Sequence, residues 1–267
     1  LPELPEVETV VRGLIPDLVG ARCGKPWVDW EKVLDGMSLS DFAGLVENQT
    51  IQRLHRRGKY ICIHLSKGFL VVHLRMTGRL YLSDQRQGDD PWVHFSLALD
   101  NGRFLAFSDA RKFGRVQWVT DLDFLEAKLG PEPLELGPAD FVPLLQGSSR
   151  AIKVFLLDQK RIAGVGNIYA DEALFLARIN PTRPVDSLSD PERQRLGKAV
   201  VKVLSAAIDY EGASIQWYRK PDGNQGESQK HFQVYGRTNN PCLVCGSPVT
   251  RNVLGQRGTH FCGKCQC

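Results

Sequence analysis

The spacing of apolar positions changes twice along this chain. Val7, Val10, Val11 and Leu14 recur at i, i+3, i+4 and i+7, which lines one face of a helix. Pro5 suits the first turn of that helix, where a missing N–H costs nothing, and Pro16 reads as its end. From about residue 51 the period falls to two. Ile61, Ile63 and Leu65 alternate up to a Ser66-Lys67-Gly68 turn. Phe95, Leu97 and Leu99 alternate up to Asp100-Asn101-Gly102, a strong hairpin signal, and Phe104 and Ala106 follow. Residues 20–120 therefore read as mostly antiparallel strands in a two-layer sandwich. Gly130-Pro131-Glu132-Pro133 breaks this pattern and places a domain boundary within 125–135. Helical spacing then returns. Ile152, Phe155 and Leu156 share a face, and Lys153 lies off it, a surface lysine or one that looks into a cleft. Ser189-Asp190-Pro191-Glu192 is a capping box, followed by a buried stripe of Leu196, Ala199, Val200, Val203, Leu204 and Ala207. The class is α+β.

Composition narrows the picture only in part. With 267 residues and 42% hydrophobic content, the chain can build a core in one large domain or two smaller ones. No run of eighteen apolar residues exists, so no membrane span is expected, and no basic-apolar leader precedes the first motif. A cytoplasmic protein is expected, in which Asn48-Gln49-Thr50 has no meaning as a glycosylation site. A net charge of +4 permits nucleic acid as a partner without identifying it.

The cysteines say more. Seven is an odd number, which argues against a disulfide framework. Cys242-x2-Cys245 and Cys262-x2-Cys265, sixteen residues apart, fit one structural Zn2+ ion bound tetrahedrally by four thiolates. Cys267 is one residue too close to join them, Cys23 and Cys62 stand apart, and His260 is an alternative ligand that four cysteines make unnecessary. Between the two pairs, Gly255 and Gly258 suit a hairpin with Arg257 at its tip. A zinc-stapled hairpin too small for its own core can hold one arginine rigidly against DNA.

Other stretches carry chemistry with an ordinary reading beside it. A proline at a free amino terminus is a secondary amine, nucleophilic at neutral pH because α-amino groups titrate at roughly 7.7–8.0. Pro2 would be that amine if Leu1 were absent, and Glu3 is a carboxyl beside it; alternatively the terminus is merely stiff and exposed. Gly164-Val165-Gly166-Asn167 makes a tight turn with Asn167 as N-cap, a natural phosphate site or simply a helix–helix turn. Arg56-Arg57-Gly58-Lys59 reads as a loop before a strand. Met76 falls at a turn in His73–Gly78, and Arg111 and Phe113 fall in a loop spanning Asp109–Gly114. Trp217–Gln229 is a polar loop expected to be mobile.

Pro2-Glu3-Leu4-Pro5-Glu6-Val7-Glu8-Thr9 resembles the amino terminus of bacterial formamidopyrimidine-DNA glycosylases, which excise oxidised purines. The resemblance recurs at Arg56–Tyr60, at Ile152-Lys153-x-x-Leu156-Leu157-Asp158-Gln159, at Ala163–Glu172 and at Arg257–Cys262. It implies an N-terminal antiparallel β-sandwich catalytic domain over 1–130, opened by a helix. A helical helix–two-turn–helix DNA-binding domain over 131–232 and a zinc-finger hairpin over 233–267 follow. It also implies that Pro2 is the nucleophile and Glu3 the proton donor, with Lys59 and Arg257 as further catalytic groups at the phosphates. Glu6 and Lys153 support the site, Lys153 in base recognition or proton transfer. Asn167 and Tyr235 grip phosphates. Met76, Arg111 and Phe113 enter the gap left by a flipped base, as an enzyme acting on a base requires. His94 matches a family histidine near the DNA backbone, and equally suits a satisfied core histidine. The loop after Gly212-Ala213-Ser214 corresponds to one that folds over the everted purine. Because the family works with proline as first residue, Leu1 is expected to stand for an initiator decoded from TTG and trimmed away.

The function so implied is a bifunctional DNA glycosylase and lyase of base-excision repair, acting as a monomer on duplex DNA with oxidised bases at the bacterial nucleoid. Two alternatives stay open. One is an endonuclease VIII-like enzyme for oxidised pyrimidines. The other is a non-catalytic lesion-binding zinc protein, should Leu1 be retained.

Overall fold

The computed structural model describes residues 2–267. Leu1, and with it the expected trimming, lies outside the described residues. Contacts gather the chain into two compact units. One contains residues up to Ala127 together with Tyr210–Glu227; the other contains Lys128–Asp209 and Ser228–Cys267. These limits differ from 1–130, 131–232 and 233–267. Residues 210–227 return to the first unit because Ala213 donates its N–H to Glu6 (2.8 Å) and Pro221 packs against Gly13, where a Cβ would sit 3.0 Å from the proline ring. The cysteine-bearing tail shares a small core with the helices, built from Phe175, Val234, Val249, Cys242 and Cys262.

In the first unit, helix α1 (Leu4–Leu18) buries Leu4, Val7, Val10, Val11, Leu14 and Leu18 on the predicted stripe. Pro16 does not end it. The helix continues to Leu18 and closes with Val19 N–H on the Ile15 carbonyl (3.1 Å), before Gly20 turns away at φ +92°. Pro16 is exposed in the last turn, where the N–H it lacks would have met only the Arg12 carbonyl.

Strand β1 (Cys23–Val28) follows, then a short helix α2 (Leu39–Val46) that period-two reading passes over. Ser38 caps α2 by accepting Asp41 N–H, and Phe42 and Val46 enter the core. The remaining strands are β2 (Ile51–Arg57), β3 (Tyr60–Leu65), β4 (Phe69–His73), β5 (Arg79–Ser83), β6 (Val93–Leu99), β7 (Phe104–Ser108) and β8 (Arg115–Val119). They form two four-stranded antiparallel sheets in the orders β1-β6-β7-β5 and β2-β3-β4-β8. Phe95, Leu97, Leu105 and Phe107 of one sheet share a core with Leu54, Ile61, Ile63, Leu70 and Val72 of the other and with the α1 stripe.

The β6–β7 hairpin turns where expected, with Gly102 at φ +83°. Its inner face in β7 is carried by Leu105 and Phe107 rather than by Phe104 and Ala106. The turn sets Phe104 opposite Ala98, and that register places Leu105 against Leu97 and Phe107 against Phe95. One residue of register reverses which side chains face inward.

A short helix α3 (Asp123–Lys128) leads out of the strands. The second unit contains α4 (Phe141–Leu144), α5 (Ile152–Leu156), α6 (Asn167–Leu176), α7 (Asp190–Asp209), β9 (Thr250–Leu254) and β10 (Arg257–Phe261). The capping box of α7 forms: Glu192 accepts the Ser189 N–H at 2.8 Å and its hydroxyl at 2.9 Å. Helix α7 meets α4 closely enough that a Cβ on Gly197 would lie 2.5 Å from the Phe141 ring. The fold is α+β, as its spacing predicts, and among the described residues no helix is long and apolar enough to cross a membrane.

Candidate functional site

The amino terminus is built into the first unit rather than left exposed. Pro2 is buried, and Glu3 and Glu6 are each 1% exposed. Glu3 is the N-cap of α1, and the two glutamates form a reciprocal capping box in which Glu3 N–H meets Glu6 Oε2 at 2.8 Å. The other Glu6 oxygen takes the Ala213 N–H at 2.8 Å. Glu6 therefore fixes both the backbone of the Pro2–Glu3 pair and the entry to the Tyr210–Glu227 loop. Two and four residues beyond Ala213, that loop exposes Ile215 and Trp217. Gln216, Trp217 and Arg219 line a cleft of about 450 Å³ with Arg79 of β5.

Lys59 lies in the two-residue turn between β2 and β3, which is the loop before a strand that the sequence suggests. Arg57 pairs with Tyr60, and Gly58 takes φ +57°, a conformation that glycine adopts without strain. Arg56 braces the turn, with Nε on Glu8 at 3.1 Å and Nη1 on the Gly58 carbonyl at 3.1 Å. Arg57 is held by Glu126 at 2.9 Å. The run of basic residues is thus mostly a scaffold around one largely buried lysine.

Met76, Arg111 and Phe113 come together, and the residue that assembles them is Asp109. This carboxylate is 1% exposed: Oδ2 accepts the N–H groups of Phe113 (2.8 Å) and Gly114 (2.7 Å), and Oδ1 accepts the Arg111 N–H (3.2 Å) and the Thr77 hydroxyl. Two separate turns are tied into one. Arg111 then reaches the Met76 sulfur at 3.1 Å and lies 4.9 Å from the centre of the Phe113 ring. Met76 is 38% and Phe113 48% exposed, an unusual presentation for such side chains. His94, by contrast, is buried, its Nδ1 2.9 Å from Asp29 and its ring edge-on to Trp30.

In the second unit, Gly166 rather than Asn167 is the N-cap of α6. Asn167 is the first helical residue, and its side chain spans to β10, where Nδ2 donates to the Gly258 carbonyl at 3.1 Å. Gln159 pins the two turns between α5 and α6, donating to the Leu157 and Val165 carbonyls and accepting from Gly164 N–H. Lys153 does not face an open cleft. It is fully buried, pairs with Asp171 at 2.7 Å and donates to the Gly258 carbonyl (2.8 Å) and the Thr259 hydroxyl (2.9 Å). Asp171 also accepts the His260 N–H at 2.9 Å. Lys153, Asn167 and Asp171 thus converge on the strand that begins with Arg257. That arginine is exposed and directly follows the Gly255-Gln256 turn.

Tyr235 is half-buried, with its ring 4.9 Å from that of His260. Glu172 gathers the backbone before it, accepting from Gln233, Val234 and Tyr235 at 2.8–2.9 Å. Burial raises the Glu172 pKa, and the three N–H donors oppose the rise.

The sulfurs of Cys242, Cys245, Cys262 and Cys265 lie within 4.8 Å of one another, two pairs at 3.9 and 3.5 Å. Four sulfurs on a tetrahedral zinc at about 2.3 Å stand about 3.8 Å apart, so the donor set fits one structural zinc. Four thiolates leave no position for a substrate. His260 is engaged by Asp171 instead, and Cys267 is exposed outside the cluster.

Asp109, Asp171 and Glu172 carry most of this positioning, and reading the sequence assigned a role to none of them. Each stands inside a motif already singled out. Asp109 holds its own loop 2–5 residues on and Thr77 32 residues back, Asp171 reaches His260 89 residues away, and Glu172 reaches 61–63 residues away, so only the first of these spans is open to local reading.

Three family profiles cover the chain: Formamidopyrimidine-DNA glycosylase N-terminal domain over residues 1–116, Formamidopyrimidine-DNA glycosylase H2TH domain over 129–219, and Zinc finger found in FPG and IleRS over 239–266. The formamidopyrimidine-DNA glycosylase of Chloroflexus aurantiacus is 45% identical, the match spanning all of this chain and 98% of that one. That of Herpetosiphon aurantiacus is 44% identical over the whole of both. The crystal structure of MutM (Fpg) from Thermus thermophilus matches with a TM-score of 0.88 at 41% identity, covering 99% of this chain and 98% of that one. Lactococcus lactis Fpg in complex with DNA containing an abasic site matches with a TM-score of 0.92 at 34% identity, covering 99% of each. With profiles, full-length relatives and fold in agreement, the chain belongs to the formamidopyrimidine-DNA glycosylase family.

Proposed function

We propose that this protein is a bifunctional DNA glycosylase and lyase that removes oxidised purines, 8-oxoguanine and formamidopyrimidines, from duplex DNA. The relatives bear the name formamidopyrimidine-DNA glycosylase, and a G226P mutant of Lactococcus lactis Fpg is known in complex with Fapy-dG-containing DNA. The observation that carries the reading onto this chain is the terminus. Pro2 and Glu3 sit buried at the head of α1, held by Glu6, which a structural terminus would not require.

The chemistry follows from those groups. With Pro2 as first residue, its nitrogen attacks the sugar C1′ and the bond from C1′ to the base breaks, the base leaving with a proton. Glu3 protonates the ring oxygen, which opens the sugar and leaves an iminium between Pro2 and C1′. That iminium acidifies the C2′ proton. Its loss expels the 3′ phosphate, and a second elimination expels the 5′ phosphate. Lys59 and Arg257 serve these departures as cations and proton donors. Asn167, Tyr235 and His94 address the backbone; Met76, Arg111 and Phe113 fill the vacated stack. Lys153 supports from within, through Asp171 and β10. The zinc holds the Arg257 hairpin and takes no part in bond chemistry. The enzyme acts as a monomer at the nucleoid of a bacterial cytoplasm, a reading supported by its bacterial relatives and by one set of site residues per chain.

The test is borohydride trapping on an 8-oxoguanine duplex, with protein whose intact mass shows proline first. A covalent adduct is expected with the unaltered protein, a weakened one with Pro2→Gly, and no base excision with Glu3→Gln. Full excision by Glu3→Gln overturns the role of Glu3. Absence of any adduct with the proline-first protein overturns the lyase reading.

A further inference from the structure

The outer face of the second sheet carries two histidines that the glycosylase chemistry does not use. In the β2–β3 ladder His55 stands opposite Cys62, and Arg53 opposite His64. Both rings therefore lie on the face turned away from Leu54, Ile61 and Ile63, which fill the core. His64 Nε2 and His55 Nδ1 are 2.8 Å apart, with ring centroids 4.7 Å apart at 55°. Phe69 meets His64 edge-on at 4.7 Å and limits its rotation. Both histidines are half-buried.

This spacing is the bite of a chelate. Two imidazole nitrogens bound cis to one ion, each at about 2.0 Å and at right angles, lie about 2.8 Å apart with ring centres about 4.5 Å apart. A straight hydrogen bond between the same nitrogens would put the ring centres about 5.1 Å apart. The observed 4.7 Å lies between the two, so a small swing of the rings converts the hydrogen-bonded pair into the chelate. We propose that His55 and His64 form a bidentate site for a divalent transition-metal ion of the copper–nickel class, with water completing the coordination.

Proton balance favours occupation. Two neutral rings carry two ring protons, one of which bridges the pair. On chelation that proton moves to the other nitrogen of its own ring, so the metal displaces no proton. The charged groups facing His55 are Arg53 and Arg56, which oppose a cation, and Glu126, which favours one. Arg56 is neutralised by Glu8 and Arg57 by Glu126, so Arg53 is the main counterweight. Imidazole suits copper and nickel, and copper(II) binds tightest in the divalent series. Among the described residues no third histidine, cysteine or carboxylate converges on the pair, which makes this an open two-point site, unlike the closed four-cysteine centre. A bound ion would staple β2 to β3 four residues from Lys59.

The test titrates Cu2+ into the zinc-loaded full chain and follows binding by calorimetry and electron paramagnetic resonance. One equivalent with hyperfine coupling to two nitrogens is expected. His64→Gln and His55→Gln should each weaken it at least about tenfold, because the second imidazole no longer binds intramolecularly. Arg53→Gln should strengthen it severalfold, which guards against a result that merely reflects misfolding. Equal affinity in the unaltered protein and in His64→Gln overturns the proposal, as does a spectrum of thiolate-bound copper with zinc released.

Discussion

Replacing Lys153 by methionine tests the buried network of the second unit most directly. The substitution keeps the side-chain length and removes the ion pair to Asp171 and the hydrogen bonds to Gly258 and Thr259. The Asp171 carboxylate then stays buried with its charge uncompensated, held chiefly by the His260 N–H. Breaking a buried pair from one side costs about 3–5 kcal/mol. For a unit of about 120 residues this lowers the melting temperature by about 10–20 °C. Asp171→Asn keeps an oxygen for His260 and is destabilising for the mirror reason, an unpaired ammonium. The double variant buries no charge and loses only hydrogen bonds, so it should fall by about 1–2 kcal/mol. The coupling between the two sites is then at least about 2 kcal/mol.

The assay must read the correct unit. All five tryptophans, Trp27, Trp30, Trp92, Trp118 and Trp217, belong to the first unit, so their fluorescence reports its melting. Zinc release to a coloured chelator reports the second. The shift should appear in zinc release and recover in the double variant. If Lys153→Met and the double variant melt alike, or if zinc release does not move, the ion pair does not hold this unit together.

Three further outcomes are expected. Gly226→Ala places a Cβ 2.3 Å from the Glu211 and Gly212 carbonyls, displacing the loop, so excision of 8-oxoguanine should fall more than cleavage of a preformed abasic site, measured on matched duplexes. Burial, reinforced by His64, Arg53 and Arg56, lowers the His55 pKa from 6.5 to about 4. The unfolded chain then binds more protons between those values, so stability should fall as pH drops from 6.5 to about 4 and not above 6.5, and His55→Gln should flatten that slope in urea titrations. Stripping the zinc should abolish specific binding to lesion DNA by releasing the Arg257 hairpin, while the tryptophan-detected transition of the first unit remains, a combination that fluorescence and gel shift read together.

Local rules already contained much of this protein. The α1 stripe, the β6–β7 turn, the α7 capping box and the four-cysteine spacing each depend on residues close together in sequence, and each appears in the fold. The same rules misplaced the end of α1, the inner face of β7 and the cap of α6. A helix end, a strand register and a turn are decided by which neighbouring element accepts the next hydrogen bond, and periodicity does not contain that choice.

Residue types and spacing determined the fold class, the zinc ligands and the motif that opens the chain, because these are set by side-chain chemistry within a few positions. Tertiary structure decided the rest. It moved residues 210–227 into the first unit, buried Lys153 against Asp171, and made Asp109 the knot that brings Met76 to Arg111. In each case a buried polar group had to find its partner, across as many as 207 residues between Glu6 and Ala213, and only the folded chain brings such partners within 3 Å.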